Sequence, residues 1–195
     1  MDNIESRRSI RKYLSATVDK ELIDMIVNAA RLAPSAKNRQ PWKYIVYMGE
    51  EKNRLLDVME RSLMKEREKH DLLPNSTSGL PDAFHTLNIM KTVPAIIVVM
   101  NPNGQNPFEA IDPDTRITEI CDSLSIGASI ENMLLKAKDL GLGTLWIANT
   151  CFAYNDLVNF IGEKGQLVGA VALGYSDEQP SARPRKELSD ILEYR

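Results

Sequence analysis

The chain has 195 residues, enough for a single domain or at most two tightly joined subdomains, and its 43% hydrophobic and 26% charged content is ordinary for a globular protein. Lys and Arg number 24 against 27 Asp and Glu, and a net charge of −3 argues against a general nucleic-acid binder. Cys121, Cys151, His70 and His85 are the only cysteines and histidines, too few for a disulfide framework or a Cys/His zinc site; the longest apolar run, Val93 to Met100, is too short to span a bilayer.

The opening Met1-Asp2-Asn3-Ile4-Glu5 is polar, with no apolar signal-type stretch behind it, so a reducing, cytoplasmic setting is expected. Ser6 to Tyr13 reads as a short basic helix and its exit. Asp19 is a good N-cap with Glu21 in the first turn, and Leu22, Ile23, Ile26, Ala29 and Ala30 recur at helical spacing. That helix should stop near Leu32, because Ala33 precedes Pro34. Ser35 to Pro41 is a polar loop. Lys43 to Met48 is strand-like, and Gly49 ends it. Glu50 to about His70 is a highly charged helix, expected to be solvated on most faces.

His70 to Lys91 is weakly patterned and holds Pro74, Asn75, Ser76, Gly79 and Pro81, the marks of a long excursion that could serve as a lid. Pro94 to Met100 is a buried strand, and Asn101 to Pro113 a turn-rich loop. Asp114 can cap a helix that runs to about Leu140 and is apolar on more than one face. A second subunit or a central place in the monomer core could each supply the cover that it needs. Gly141 ends it as a left-handed cap. Thr144 to Ile147 and Gln166 to Tyr175 are strands, separated by a short helix over Asn155 to Gly162. Pro180 to Lys186 is a basic, proline-punctuated loop. Helices and strands alternate, so the sheet carries helices on its faces; strand order stays open.

No Ser-x-x-Lys, Gly-x-Ser-x-Gly, His-Glu-x-x-His or Walker sequence is present. Gly141-Leu142-Gly143 joins a helix to a strand, the reverse of a dinucleotide fingerprint, and reads as a helix cap. Basic residues crowd two segments, Arg7, Arg8, Arg11 and Lys12 around Ser9, and Arg183, Arg185 and Lys186. Arg forks and a Ser hydroxyl suit phosphate oxygens, although both clusters could be solvated charge runs. Between them, Asn38 and Gln40 carry donor and acceptor groups that a flat heterocycle with alternating C=O and N–H edges requires.

Four segments in order, Arg7-Arg8-Ser9-Ile10-Arg11-Lys12-Tyr13, Ala33-Pro34-Ser35-Ala36-Lys37-Asn38-Arg39-Gln40-Pro41-Trp42, Gly141-Leu142-Gly143-Thr144-Leu145-Trp146-Ile147 and Arg183-Pro184-Arg185-Lys186, resemble the signatures of the FMN-dependent nitroreductase family. The resemblance covers nearly the whole chain. It implies a single α+β domain over residues 1–195, with a sheet flanked by helices on both faces and a long central dimer helix. It also implies a homodimer with FMN at the subunit interface. By this resemblance Arg7, Ser9 and Arg11 hold the phosphate or ribityl end, with Arg8 in the same signature. Arg183 and Arg185 close on the phosphate, and Pro34, Ser35, Asn38 and Gln40 lie against the flavin. Asp122 and Asn132 stand where similar residues stand in relatives. Many members carry a Gly-Gly or Glu-Gly pair beside flavin N5. Here the stretch is Ala148-Asn149-Thr150, which puts redox tuning and substrate space in question. The activity implied is reduction of nitroaromatics, quinones or related flat acceptors by NAD(P)H in ping-pong fashion. The chemistry is carried by FMN and no protein nucleophile is needed. A non-turnover FMN-binding module, or other flavin chemistry on the same fold, are the alternatives. Neither a nucleic acid nor a membrane is expected as a partner.

Overall fold

The computed structural model describes residues 2–195. Its elements, in chain order, are α1 (Asn3–Ser6), α2 (Lys20–Ala30), β1 (Lys43–Met48), α3 (Gly49–Lys69), α4 (Leu80–Thr92), β2 (Ala95–Asn101), α5 (Pro113–Asp139), β3 (Gly143–Ile147), α6 (Tyr154–Ile161) and β4 (Gln166–Gly174). The strands form one sheet of order β1-β2-β4-β3, every pair antiparallel. All seven residues of β2 are buried, because it lies inside the sheet with helices over both faces. The alternation of the pleat divides its side chains between two cores. Ile96, Val98 and Met100 join Leu55, Met59 and Leu63 of α3, Leu87 and Met90 of α4 and Leu157 of α6. Ala95, Ile97 and Val99 join Ile23, Ile26 and Ala30 of α2 and Ile126, Ile130 and Met133 of α5. This is the α+β sandwich that the sequence leads one to expect.

Three expectations change and one gains detail. Ser6 to Tyr13 is not a helix: α1 ends at Ser6, and the chain then runs extended as an arm. Ser9 bridges Thr144 in parallel, Ile10 N–H donates to Thr144 O at 2.9 Å, and Leu14 N–H donates to Tyr175 O at 2.9 Å. Unpaired ladder positions on β3 and beyond β4 offer these bonds, and they outweigh local helix propensity. Second, residues 80–92 are not an irregular excursion. Leu80, Ala83, Leu87 and Met90 recur at helical spacing, and α4 packs them into the first core. Only residues 71–79 remain irregular, around a 3-10 turn over Pro74–Gly79. Third, α3 is exposed over most of its surface, as expected, but one face, from Lys52 through Leu55, Leu56, Met59 and Leu63 to Glu66, is buried. Its Glu66, 4% exposed, accepts from Leu72 N–H at 3.0 Å and Leu73 N–H at 2.9 Å, which pins the loop that follows. Fourth, the cap of α5 is Asp112, whose side chain accepts from Asp114 and Thr115 N–H, both at 3.0 Å, with Pro113 as the first helical residue.

The far end of α5 closes as a Schellman turn. Leu142 N–H reaches Ala137 O at 2.8 Å, Gly141 N–H reaches Lys138 O at 3.1 Å, and Gly141 has φ +76°. Gly143 is required for a different reason: a Cβ there would lie 2.8 Å from the Ile10 side chain, so its absence lets the arm dock. The Gly-Leu-Gly segment therefore ends a helix and seats the arm, as its helix-to-strand position requires. No helix among the described residues is long and apolar enough to cross a membrane.

Candidate functional site

The extended arm has a consequence for its basic residues. In a helix, Arg7, Ser9 and Arg11 would point in different directions; in an extended segment, residues two apart share a side. All three are half-buried. The Arg11 guanidinium has no carboxylate partner among the described residues, while Arg7 makes one long contact, 3.4 Å, with Glu131 of α5. Arg8 is used differently. Its guanidinium donates to Glu5 O and Arg7 O, both at 2.7 Å, and so caps the C-terminal end of α1. Arg7 and Arg8 border a cleft of about 760 Å³ beside the arm, with Lys138, Gly141 and Gly143 on one wall and Ser176 to Pro180 on the other.

The second sequence-predicted group lies on the loop between α2 and β1. Ser35 is half-buried, and Pro34, Asn38 and Gln40 are exposed. Lys37, Asn38 and Gln40 all take left-handed backbone, φ +53°, +54° and +51°. For residues with a Cβ this costs about 1–2 kcal/mol each. The loop is held by Gln40 N–H on Ser35 Oγ at 3.0 Å, by Ala36 N–H on Ser125 Oγ at 3.2 Å, and by an ion pair from Arg39. Arg39 Nε and Nη2 both reach Asp122 Oδ1, at 2.9 and 2.7 Å, and Asp122 is 1% exposed. The hydrogen bond to Asp122 raises the Arg39 pKa still further. The Asn38 and Gln40 amides keep most of their capacity: a 3.4 Å contact from Gln40 Nε2 to Asn38 O is the sole hydrogen bond that either makes through its side chain among the described residues.

One face of α5 organises much of this. Asp122 holds Arg39, Ser125 holds Ala36, Ser129 meets the Tyr44 hydroxyl at 2.6 Å, and Asn132 donates to Ala29 O at 3.3 Å. Asn132 thus ties α5 to the end of α2. The Arg39 and Ser125 contacts were missed in the sequence; the spacing 122, 125, 129, 132 of polar residues within an apolar helix was their signal.

After β3, Ala148 is exposed and Asn149 half-buried. Asn149 Nδ2 donates to Thr86 Oγ1 at 2.9 Å and Asp82 Oδ2 at 3.1 Å, which ties this corner to α4. Its Oδ1 is buried without a partner. Cys151, nearby, packs against the first core, and burial pushes its thiol up, as befits a structural cysteine rather than a reactive one. Arg183 and Arg185 stand apart. Residues 181–195 are exposed throughout, and Arg185 bonds only backbone carbonyls of its own segment, Arg183 O and Pro184 O, both at 3.2 Å. No described contact within the protomer joins them to Arg7, Ser9 or Arg11.

The model of the nitroreductase family matches residues 4–175. The chain is a member of the nitroreductase family. A nitroreductase is an oxidoreductase, and the sequence resemblance is met over the arm, the loop and β3. A relative from Archaeoglobus fulgidus, provisionally named as an NADH dehydrogenase/NAD(P)H nitroreductase, is 28% identical over 186 residues, covering 90% of this chain and 84% of its own. The crystal structure of a nitroreductase-like protein from Bacillus cereus superposes with a TM-score of 0.75 at 29% identity, covering 98% and 93% of the two chains. An FMN-dependent nitroreductase from Mycobacterium smegmatis, solved with NADPH, shares the fold with a TM-score of 0.74 at 18% identity, over 99% of this chain and 96% of that one.

Proposed function

We propose that this nitroreductase is an FMN-dependent enzyme that takes reducing equivalents from NADH or NADPH and passes them to flat acceptors, nitroaromatics and quinones foremost, in two separate half-reactions. The donor set suits FMN. The arm offers guanidinium groups and a hydroxyl for a phosphate, and the 35–40 loop offers exposed amides, Asn38 and Gln40, for a heterocycle edge. The observation that carries the reading is the second: a loop in costly left-handed backbone, anchored to a buried carboxylate, that presents two exposed amides with most of their hydrogen-bonding capacity free of protein partners. When bound, FMN supplies hydride acceptance and release at N5.

Within this reading Arg7, Ser9 and Arg11 bind the phosphate end, and Arg7 exchanges its long contact with Glu131 for it. Arg8 supports the arm by capping α1. Pro34 and Ser35 border the ring, and Asn38 and Gln40 orient its polar edge. Ala148 and Asn149 border N5, with Asn149 held by Thr86 and Asp82. Ser9 and Arg11 would offset the standing negative charge of the phosphate, the hydroxyl by hydrogen bonding and the guanidinium by Coulomb attraction. Residues 71–79 border the acceptor space.

A homodimer completes the site. Ile117, Ile120 and Leu124 form an outward stripe on α5, 62%, 49% and 72% exposed, next to Trp146 of β3 at 44%. A second copy covers them. The exposed tail brings Arg183 and Arg185 to the partner's phosphate site, which accounts for their separation from Arg7 and Arg11 in one protomer.

Anaerobic addition of NADH or NADPH should bleach the visible absorbance of the purified yellow protein, and a quinone or nitroaromatic should restore it. A flavin that dithionite reduces but neither nicotinamide does would favour the second reading, a non-turnover flavin module. Asn149 in place of a flexible Gly-Gly or Glu-Gly pair is the observation on that side.

A further inference from the structure

We infer that Arg39 is a positioning residue for the flavin loop: its ion pair with Asp122 fixes the left-handed backbone from which Asn38 and Gln40 face the cofactor. The inference rests on the FMN reading above. Arg39 lies between those two residues, and its side chain leaves on the opposite course, into α5. Both contacting nitrogens converge on one carboxylate oxygen, at 2.9 and 2.7 Å. Asp122 has no other ion-pair partner among the described residues, so Arg39 alone balances a buried charge.

The loop's remaining bonds cannot do this work. Gln40 N–H to Ser35 Oγ and Asn38 N–H to Ser35 O, at 3.0 and 2.9 Å, lie within the loop and move with it. The two bonds that tie it to the body of the protein are Arg39 to Asp122 and Ala36 N–H to Ser125 Oγ. Ser125 Oγ spends its own proton on Cys121 O at 2.7 Å, which leaves its lone pairs for Ala36. Asp122 and Ser125 are three apart on one helix, so they grip the loop at two points from one face. Of these, the Ser125 bond fixes where the loop begins, and the Arg39 pair fixes the turn between Asn38 and Gln40. Without Arg39, three left-handed residues outside glycine lose the contact that over-determines them, and the amides lose their common orientation.

The test uses full-length protein stripped of flavin and titrated with FMN, with visible circular dichroism of the bound flavin and thermal melting of the apo form as companion readings. Arg39→Gln and Asp122→Asn should each weaken FMN fivefold or more and alter the flavin dichroism. Arg39→Lys, which keeps the charge, should recover most of the affinity. The double variant Arg39→Gln/Asp122→Asn should be no worse than the weaker single variant, because both remove one interaction. Singles that stay within fivefold of the parent, or that lower the apo melting temperature with affinity and dichroism unchanged, overturn the inference. So does a double variant whose losses add. If Asp122→Asn does not fold, the two Arg39 variants decide the matter alone. A parent protein that takes up no FMN would instead sink the cofactor reading itself, an outcome separate from equal binding by parent and variants.

Discussion

Replacing Leu124 by Arg tests the proposed subunit pairing most directly. Leu124 is 72% exposed in the protomer, and Ile117, Ile120 and Trp146 beside it are 62%, 49% and 44% exposed. Full burial of such a side chain contributes about 1.5–3 kcal/mol, so covering what remains exposed contributes about 1–2 kcal/mol each. The four together reach about 4–8 kcal/mol per protomer, and a two-fold interface counts them twice. That is on the scale of the roughly 4–15 kcal/mol that association costs in lost freedom, so this patch decides whether a dimer forms. Arg at 124 removes one aliphatic contribution and places an unpaired cation against apolar surface, a penalty of about 3–5 kcal/mol, in each protomer. The dimer should weaken at least a thousandfold. Folding of the protomer should change by less than about 0.5 kcal/mol, because the site is exposed there. Sedimentation velocity followed at the flavin absorbance and at the protein absorbance reads both results: the variant should run as a colourless monomer. A Leu124→Arg protein that stays dimeric and yellow, or a parent that sediments as a yellow monomer, would refute the reasoning.

Arg185→Ala should weaken FMN about tenfold, from the loss of one charge-assisted hydrogen bond, and fluorescence titration of the apo protein measures it. Glu66→Ala strands the Leu72 and Leu73 amides that the carboxylate holds. It should cost about 3 kcal/mol or more and lower the melting temperature by about 6–12 °C in calorimetry. Burial pushes the Tyr44 phenol up to about 12 from its usual 10.0, and Tyr13 is raised too, mainly by burial. Both groups have folded pKa values above their unfolded ones and are neutral below them. Both contributions are complete below pH 10.0; that of Tyr44 disappears as pH rises through about 12, and that of Tyr13 persists further into alkali. Tyrosinate absorbance should therefore lag the free phenol on titration and appear together with alkaline unfolding.

The regular elements were readable where one period dominated. The β-branched run of β2, the alternation-free strand β4 and the amphipathic α2 all formed as their patterns indicate, although Asp19 stands at the N-cap of α2 without a side-chain capping bond, and Gly141 ended α5 by the left-handed turn expected of it. α4 was obscured because Pro81 and Gly79 draw attention to breaking residues, while the buried spacing Leu80, Ala83, Leu87, Met90 is diluted by Asn88 and Lys91. The arm failed for a different reason. Local propensity favours a helix over residues 6–13, but the free edges at Thr144 and Tyr175 are set by strands more than a hundred residues away. In the candidate site, the residue types proposed to meet a ligand could be named from the sequence, whereas the pairings of Arg39, Asp122 and Ser125 could not. Their meaning lies in a contact between a loop and a helix far along the chain, which spacing within either segment cannot express.

The strand order has a consequence for how the chain acquires its shape. No neighbouring pair in the sheet is a simple hairpin: β1 ends at Met48 and β2 begins at Ala95, β3 ends at Ile147 and β4 begins at Gln166. Each ladder closes only after a helical segment has been spanned, so folding is dominated by distant contacts and belongs to the slower, millisecond-to-second class. On the ribosome the order is stricter. Ile96 to Met100 emerge early, yet the partner that seals their second edge, β4, ends at Gly174. Until then five apolar residues on an open edge invite pairing with any other chain. A truncation before Gln166 should therefore aggregate, and premature termination in this stretch yields material for proteolysis rather than a smaller folded protein.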